Sequence, residues 1–145
     1  MMSLRSALVC VLLLTLPVSA AEPLSGVWKM RPSGPAGSAT KQTITVEQVA
    51  DGVKVTTVID YGNGTGMTMT YVTKFDGAEV PVYSSGKVVM TMRGKKTGPN
   101  TYEGSVSGPG GTSNYKTTIS ADGKTMTTES TSGQNLGRSV FDRVK

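Results

Sequence analysis

The chain of 145 residues contains no histidine, one cysteine, one tryptophan and two phenylalanines. The missing histidine removes the commonest general base and the commonest metal ligand. The single cysteine, Cys10, sits in an apolar run near the start, so the remainder has no thiol nucleophile and no disulfide partner. Beyond that run no segment carries the 3.6-residue hydrophobic period of a helix. No apolar stretch reaches the roughly 20 residues that a membrane-spanning helix needs. The charges, 15 basic against 10 acidic for a net +5, are scattered, with "RGKK" (Arg93–Lys96) as their densest cluster. No basic stripe is interleaved with aromatic residues, which argues against a nucleic-acid partner.

What is present starts with an export signal. Arg5 supplies a positive n-region, "ALVCVLLLTL" (Ala7–Leu16) the apolar core, Pro17 a break, and "VSA" (Val18–Ala20) the small residues of a cleavage site. Residues 1–20 therefore read as a signal peptide, and 21–145 as one domain, periplasmic or extracellular after cleavage near Ala20. Val9 before Cys10 is not the small residue of a lipidation site. Without disulfides, a packed core must hold the exported domain together.

The domain reads as about ten short strands separated by tight-turn signals. "TITVEQV" (Thr43–Val49) ends at "ADG", "VKVTTVIDY" (Val53–Tyr61) at "GNGTG", and "MTMTYVTKF" (Met67–Phe75) at "DG". "EVPVYS" (Glu79–Ser84) contains Pro81, which marks it as short, irregular or an edge. "KVVMTMR", "TYEGSVS", "SNYKTTIS", "KTMTTES" and "RSVFDRV" complete the series. An all-β chain of this kind predicts an antiparallel up-and-down β-barrel of about 8–10 strands, since closure removes exposed edges.

Alternation assigns the faces. Met67, Met69, Tyr71 and Phe75 share one parity against Thr68, Thr70 and Lys74; Val88, Met90 and Met92 oppose Lys87, Thr91 and Arg93. Val53, Val55, Ile59 and Tyr61 form a third inward set. Tyr102, Tyr115 and Met126 complete an interior rich in methionine and tyrosine. Methionine adapts to irregular contents, and tyrosine brings a hydroxyl that needs a partner when buried. These residues suit a cavity for a small, largely apolar molecule. They suit equally a barrel filled by its own side chains, because periodicity measures facing and not empty volume. An interior cavity of ~300 Å³ or more separates a carrier from a filled barrel.

Gly26-Val27-Trp28 in the first strand resembles the Gly-x-Trp signature of lipocalins. Together with "PSGPAGSA" (Pro32–Ala39), "DGVKV" (Asp51–Val55), "KFDG" (Lys74–Gly77), "DGKTMT" (Asp122–Thr127) and "VFDR" (Val140–Arg143), the chain resembles a family of small exported bacterial lipocalin-like proteins. The resemblance implies a lipocalin or fatty-acid-binding-like barrel and small-molecule binding. It implies no activity, since that family has none established.

Closure of an even-stranded meander places the start of the first strand beside the end of the last. Trp28 is therefore expected to meet Arg143, with the guanidinium over the indole; the resemblance implies the same contact. The expected ligand-binding interior comprises Met67, Met69, Tyr71, Met90, Met92, Tyr102 and Tyr115, with Arg138 reaching it from the last strand to pair with a ligand carboxylate.

Catalytic chemistry finds no support. Asp51, Asp76 and Asp122 precede glycine in turns, and Glu47, Glu103 and Glu129 fall on outer faces, so no pair of acids converges. "GNGTG" (Gly62–Gly66) lacks both the Gly-Lys-Ser/Thr ending and the following helix of a phosphate loop. The expectation is a non-enzymatic barrel without metal or cofactor whose partner is a small apolar ligand. The alternative is a filled barrel acting as a protein-interaction or envelope structural module.

Overall fold

The structure is a computed structural model that describes residues 22–32, 40–132 and 137–144. The expected signal peptide, Cys10 and residues 33–39 of the Pro/Gly/Ser-rich stretch lie outside the described residues. The described residues form ten strands: β1 (Gly26–Met30), β2 (Lys41–Val49), β3 (Gly52–Asp60), β4 (Gly66–Thr73), β5 (Asp76–Ser84), β6 (Lys87–Gly98), β7 (Thr101–Gly108), β8 (Gly111–Ile119), β9 (Thr125–Ser132) and β10 (Arg138–Arg143). Each pairs antiparallel with its sequence neighbours, and β1 pairs with β10, which closes the barrel. Among the described residues no helix is long and apolar enough to cross a membrane.

Turn chemistry sets the hairpins. Gly52 opens β3 at φ +136°, and a Cβ there would lie 2.5 Å from the Thr73 carbonyl oxygen, so only glycine fits. Asp60, Asp76 and Asp122 each accept a backbone N–H two residues ahead, at 2.8, 3.0 and 3.0 Å. These aspartates serve turns, as their position before or near glycine implies.

The β4–β5 junction has the fewest register pairs among the described strands. The two strands meet in register at one position, Thr70 with Tyr83, although β5 pairs with β6 along most of its length. Pro81 lies in β5, and a proline has no N–H to give to a ladder. The edge character that Pro81 suggests is therefore expressed inside a closed barrel, as a sparsely bonded seam.

Two inward assignments are corrected. Val82 pairs with Met90 but Tyr83 pairs with Val88, so a bulge at Val89 reverses the parity of the strand start. Val88 consequently faces outward beside Tyr83 and is exposed. Tyr61 lies past the end of β3 and is likewise exposed.

Among the described residues, Trp28, Tyr102 and Phe141 are the largest fully buried side chains. Leu24, Val46, Val53, Val55, Ile119 and Met126 pack with them. This core fills the end of the barrel where the chain enters β1 and leaves β10.

Candidate functional site

The barrel floor is built around Trp28. Its ring is fully buried, and its Nε1 donates to the Leu24 carbonyl at 2.9 Å. Arg143, its register partner on β10, places its guanidinium carbon 4.1 Å from the Trp28 ring centroid. Arg143 also donates from Nε to the Gly123 carbonyl at 2.6 Å, and from its two other nitrogens to the Ser25 and Pro23 carbonyls. One side chain thus ties together the chain entry, the last strand and the β8–β9 turn. The sequence expectation for Trp28 and Arg143 and the geometry agree.

A second cluster lies beside it. Glu22 Oε1 accepts from Lys96 Nζ at 2.9 Å and from the Tyr102 hydroxyl, and Lys96 stands 5.6 Å from the Tyr102 ring centroid. The Phe75 ring packs on Tyr102 at 4.9 Å between centroids. Phe75 adopts φ +52°, an unusual conformation for a bulky side chain, and this packing offsets its strain.

Above this floor lies an interior cavity of about 250 Å³. Met69, Tyr71, Met90, Met92, Tyr102 and Tyr115 all line it, so six of the eight residues expected there share one space. Its volume is somewhat below the ~300 Å³ at which small-molecule sites ordinarily begin. It adjoins a shallower hollow of about 360 Å³, with Val106, Tyr115 and Thr128 lining both and Ser113, Ser130 and Ser139 lining only the latter. The interior is thus neither filled nor large: a deep apolar part opens toward a serine-bearing part.

Two expected members lie elsewhere. Met67 has the inward parity but stands one residue from the start of β4, half-exposed, and borders an exterior hollow with Val58, Thr70 and Tyr83. Arg138 faces outward. Phe141 is buried on β10, so Arg138 and Val140 hold the opposite parity, and Arg138 pairs with Glu129 at 3.3 Å on the surface. Arg138 is not among the residues that line the cavity.

Thr57, Thr128, Gln42 and Val106 also line the cavity, beyond the residues expected there. Thr57 shares parity with the inward Val53 and Val55. Threonine serves both faces of a sheet, so its identity alone does not reveal burial.

The polar groups in the cavity are mostly satisfied. The Thr117 and Thr128 hydroxyls bond to each other at 2.9 Å, and the Tyr115 hydroxyl donates to the Arg93 carbonyl at 3.2 Å. Burial pushes the Tyr115 hydroxyl up to about 12. Tyr71 is raised further, by burial first and then by Tyr115 beside it. Both remain protonated and act as neutral donors at physiological pH. No group of three or more Cys, Asp or Glu side chains is placed to hold a metal ion among the described residues.

These features define a closed ten-stranded antiparallel up-and-down barrel with a hollow interior. No family model and no curated protein matches the sequence. Solved structures similar in fold include two of one protein. One is wild-type fluorescent protein UnaG, at 17% identity and a TM-score of 0.57, covering 85% of this chain and 98% of that one. The other is a single-residue mutant of the same protein, at 17% identity and a TM-score of 0.58, covering 86% and 98%. At this identity the likeness concerns the fold.

Proposed function

We propose that the protein is an exported, non-enzymatic barrel that binds a small, largely apolar molecule in its interior. The observation that carries this reading is the cavity between the Trp28 floor and the serine-bearing hollow, into which Met69, Tyr71, Met90 and Met92 converge from β4 and β6. The secretory signal pattern of residues 1–20 supports export, and the resemblance of the motifs to small exported bacterial lipocalin-like proteins agrees with it. The absence of histidine and of converging acids supports a binding role over a catalytic one.

The rival reading is a barrel that works through its outer surface. It is favoured by the modest cavity volume and by Val58, Tyr83 and Val88, exposed apolar side chains on the outer face around the β4–β5 seam. Two measurements separate the readings. Native mass spectrometry of the purified protein is expected to show a co-purified small molecule. Replacing Met69 and Met90 together with tryptophan is expected to abolish uptake of an apolar fluorescent probe while circular dichroism still reports a β fold. Probe binding that survives both substitutions in a folded protein places the site outside the barrel and favours the surface reading.

A further inference from the structure

The charge inventory of the cavity says more about its ligand than its size does. No Asp, Glu, Lys or Arg is among its described lining residues. Lys96 and Arg143 are committed at the floor, Lys96 to Glu22 and Arg143 to three backbone carbonyls and the Trp28 ring, and Arg93 pairs with Glu79 on the surface. Arg138 points to solvent. A ligand carboxylate or ammonium in this cavity would be withdrawn from water without a counter-ion, which is among the most unfavourable arrangements in a protein interior.

The three cavity tyrosines differ in what they have left to give. Tyr102 donates to Glu22, and Tyr115 donates to the Arg93 carbonyl. Tyr71 makes no side-chain hydrogen bond among the described residues, yet it lines the cavity. Its burial keeps the hydroxyl protonated, so its proton is on offer to whatever occupies the space. The rest of the described lining is mainly apolar, with Met69, Val82, Met90 and Met92 among it and Gln42 and Thr57 as further polar members.

We infer that the cavity selects an uncharged, mostly apolar molecule carrying one oxygen acceptor, such as a ketone, ester or ether, which accepts the Tyr71 proton. This rests on the reading that the interior is the binding site. It departs from an anion-binding barrel, in which an interior arginine or lysine meets a ligand carboxylate.

The test uses four naphthyl compounds of nearly equal bulk: naphthalene, methyl 2-naphthyl ketone, 2-naphthoate and 2-naphthylmethylammonium. Their binding to the purified protein is measured by isothermal titration calorimetry at pH 7.5. The ketone is expected to bind at least about tenfold more tightly than either ion. Tyr71→Phe is expected to weaken the ketone about two- to tenfold, the worth of one hydrogen bond, and to leave naphthalene unchanged. Naphthoate or the ammonium compound binding as tightly as the ketone overturns the selection for uncharged ligands and leaves the container reading standing. An unchanged ketone affinity in Tyr71→Phe overturns the role of Tyr71. Should that variant not fold, the ratio of ketone to naphthoate affinity on the unaltered protein decides alone. If no naphthyl compound binds the folded protein, the container reading fails, and this inference with it.

Discussion

Arg143 and Trp28 face each other across the β1–β10 pair, with the guanidinium carbon 4.1 Å from the ring centroid. The indole is fully buried and the guanidinium is held by three carbonyls, so the pair seals the strand junction that closes the barrel. Trp28→Ala is expected to cost about 3–5 kcal/mol, as for large aromatic truncations in cores. Arg143→Ala is expected to cost less, because the indole remains packed. A double-mutant cycle by denaturant unfolding is expected to show coupling between them; additive effects would remove the stacking contribution.

Gly104 and Tyr115 form a second cross-strand pair with a steric consequence. A Cβ on Gly104 would lie 1.8 Å from the Arg93 carbonyl oxygen and 2.8 Å from the Tyr115 hydroxyl. Both neighbours are engaged with each other, so neither yields freely. Gly104→Ala is expected to destabilise by about 1–3 kcal/mol or more. Gly110→Ala, where nothing lies within 4 Å of the added carbon, is the control and is expected within about 0.5 kcal/mol of the parent. Equal thermal midpoints for the two variants would contradict the close approach.

The pH profile follows from the absence of histidine and from the two interior tyrosines. No ordinary side chain titrates between about pH 5 and 8, so stability is expected to be flat there. Tyr115 and Tyr71 have raised values in the folded state, against about 10 in the unfolded chain. The unfolded chain therefore loses these protons first as pH rises. The stabilisation they give is complete below pH ~10 and is lost as pH climbs toward 12. On the acid side, hydrogen bonds from Arg31 lower Asp142, and hydrogen bonds from Ser120 and the Lys124 N–H lower Asp122. Their contribution is present above pH ~4, is lost below it, and is small because both groups are exposed. Denaturant midpoints measured from pH 3 to 12 check the profile. Tyr71→Phe is expected to flatten its alkaline limb, and a sharp transition near neutrality would contradict the assignment.

Arg138 tests the face of β10. Its ion pair with Glu129 is solvent-exposed, and such pairs contribute about 0–1 kcal/mol. Arg138→Ala is expected to shift stability by no more than that and to leave uptake of an apolar probe unchanged. A loss of probe binding without unfolding would return Arg138 to the site.

The all-β class, the meander, the Met/Tyr interior and the meeting of Trp28 with Arg143 are all legible in the amino-acid sequence. Each follows from local rules: a two-residue side-chain period, turn residues at strand ends, and the antiparallel adjacency of first and last strands. The orientation of Val88 and of Arg138 is not legible in the same way. Val88 depends on a one-residue bulge opposite the Val82–Tyr83 step, and one inserted residue reverses every later facing. Arg138 depends on whether Phe141 or Val140 turns inward, which the packing of Phe141 against Met126 at the barrel floor decides. Cavity volume is likewise a tertiary quantity. The same Met69, Met90 and Met92 can fill a barrel or line a hollow, and only the curvature and register of all ten strands leave about 250 Å³ between them.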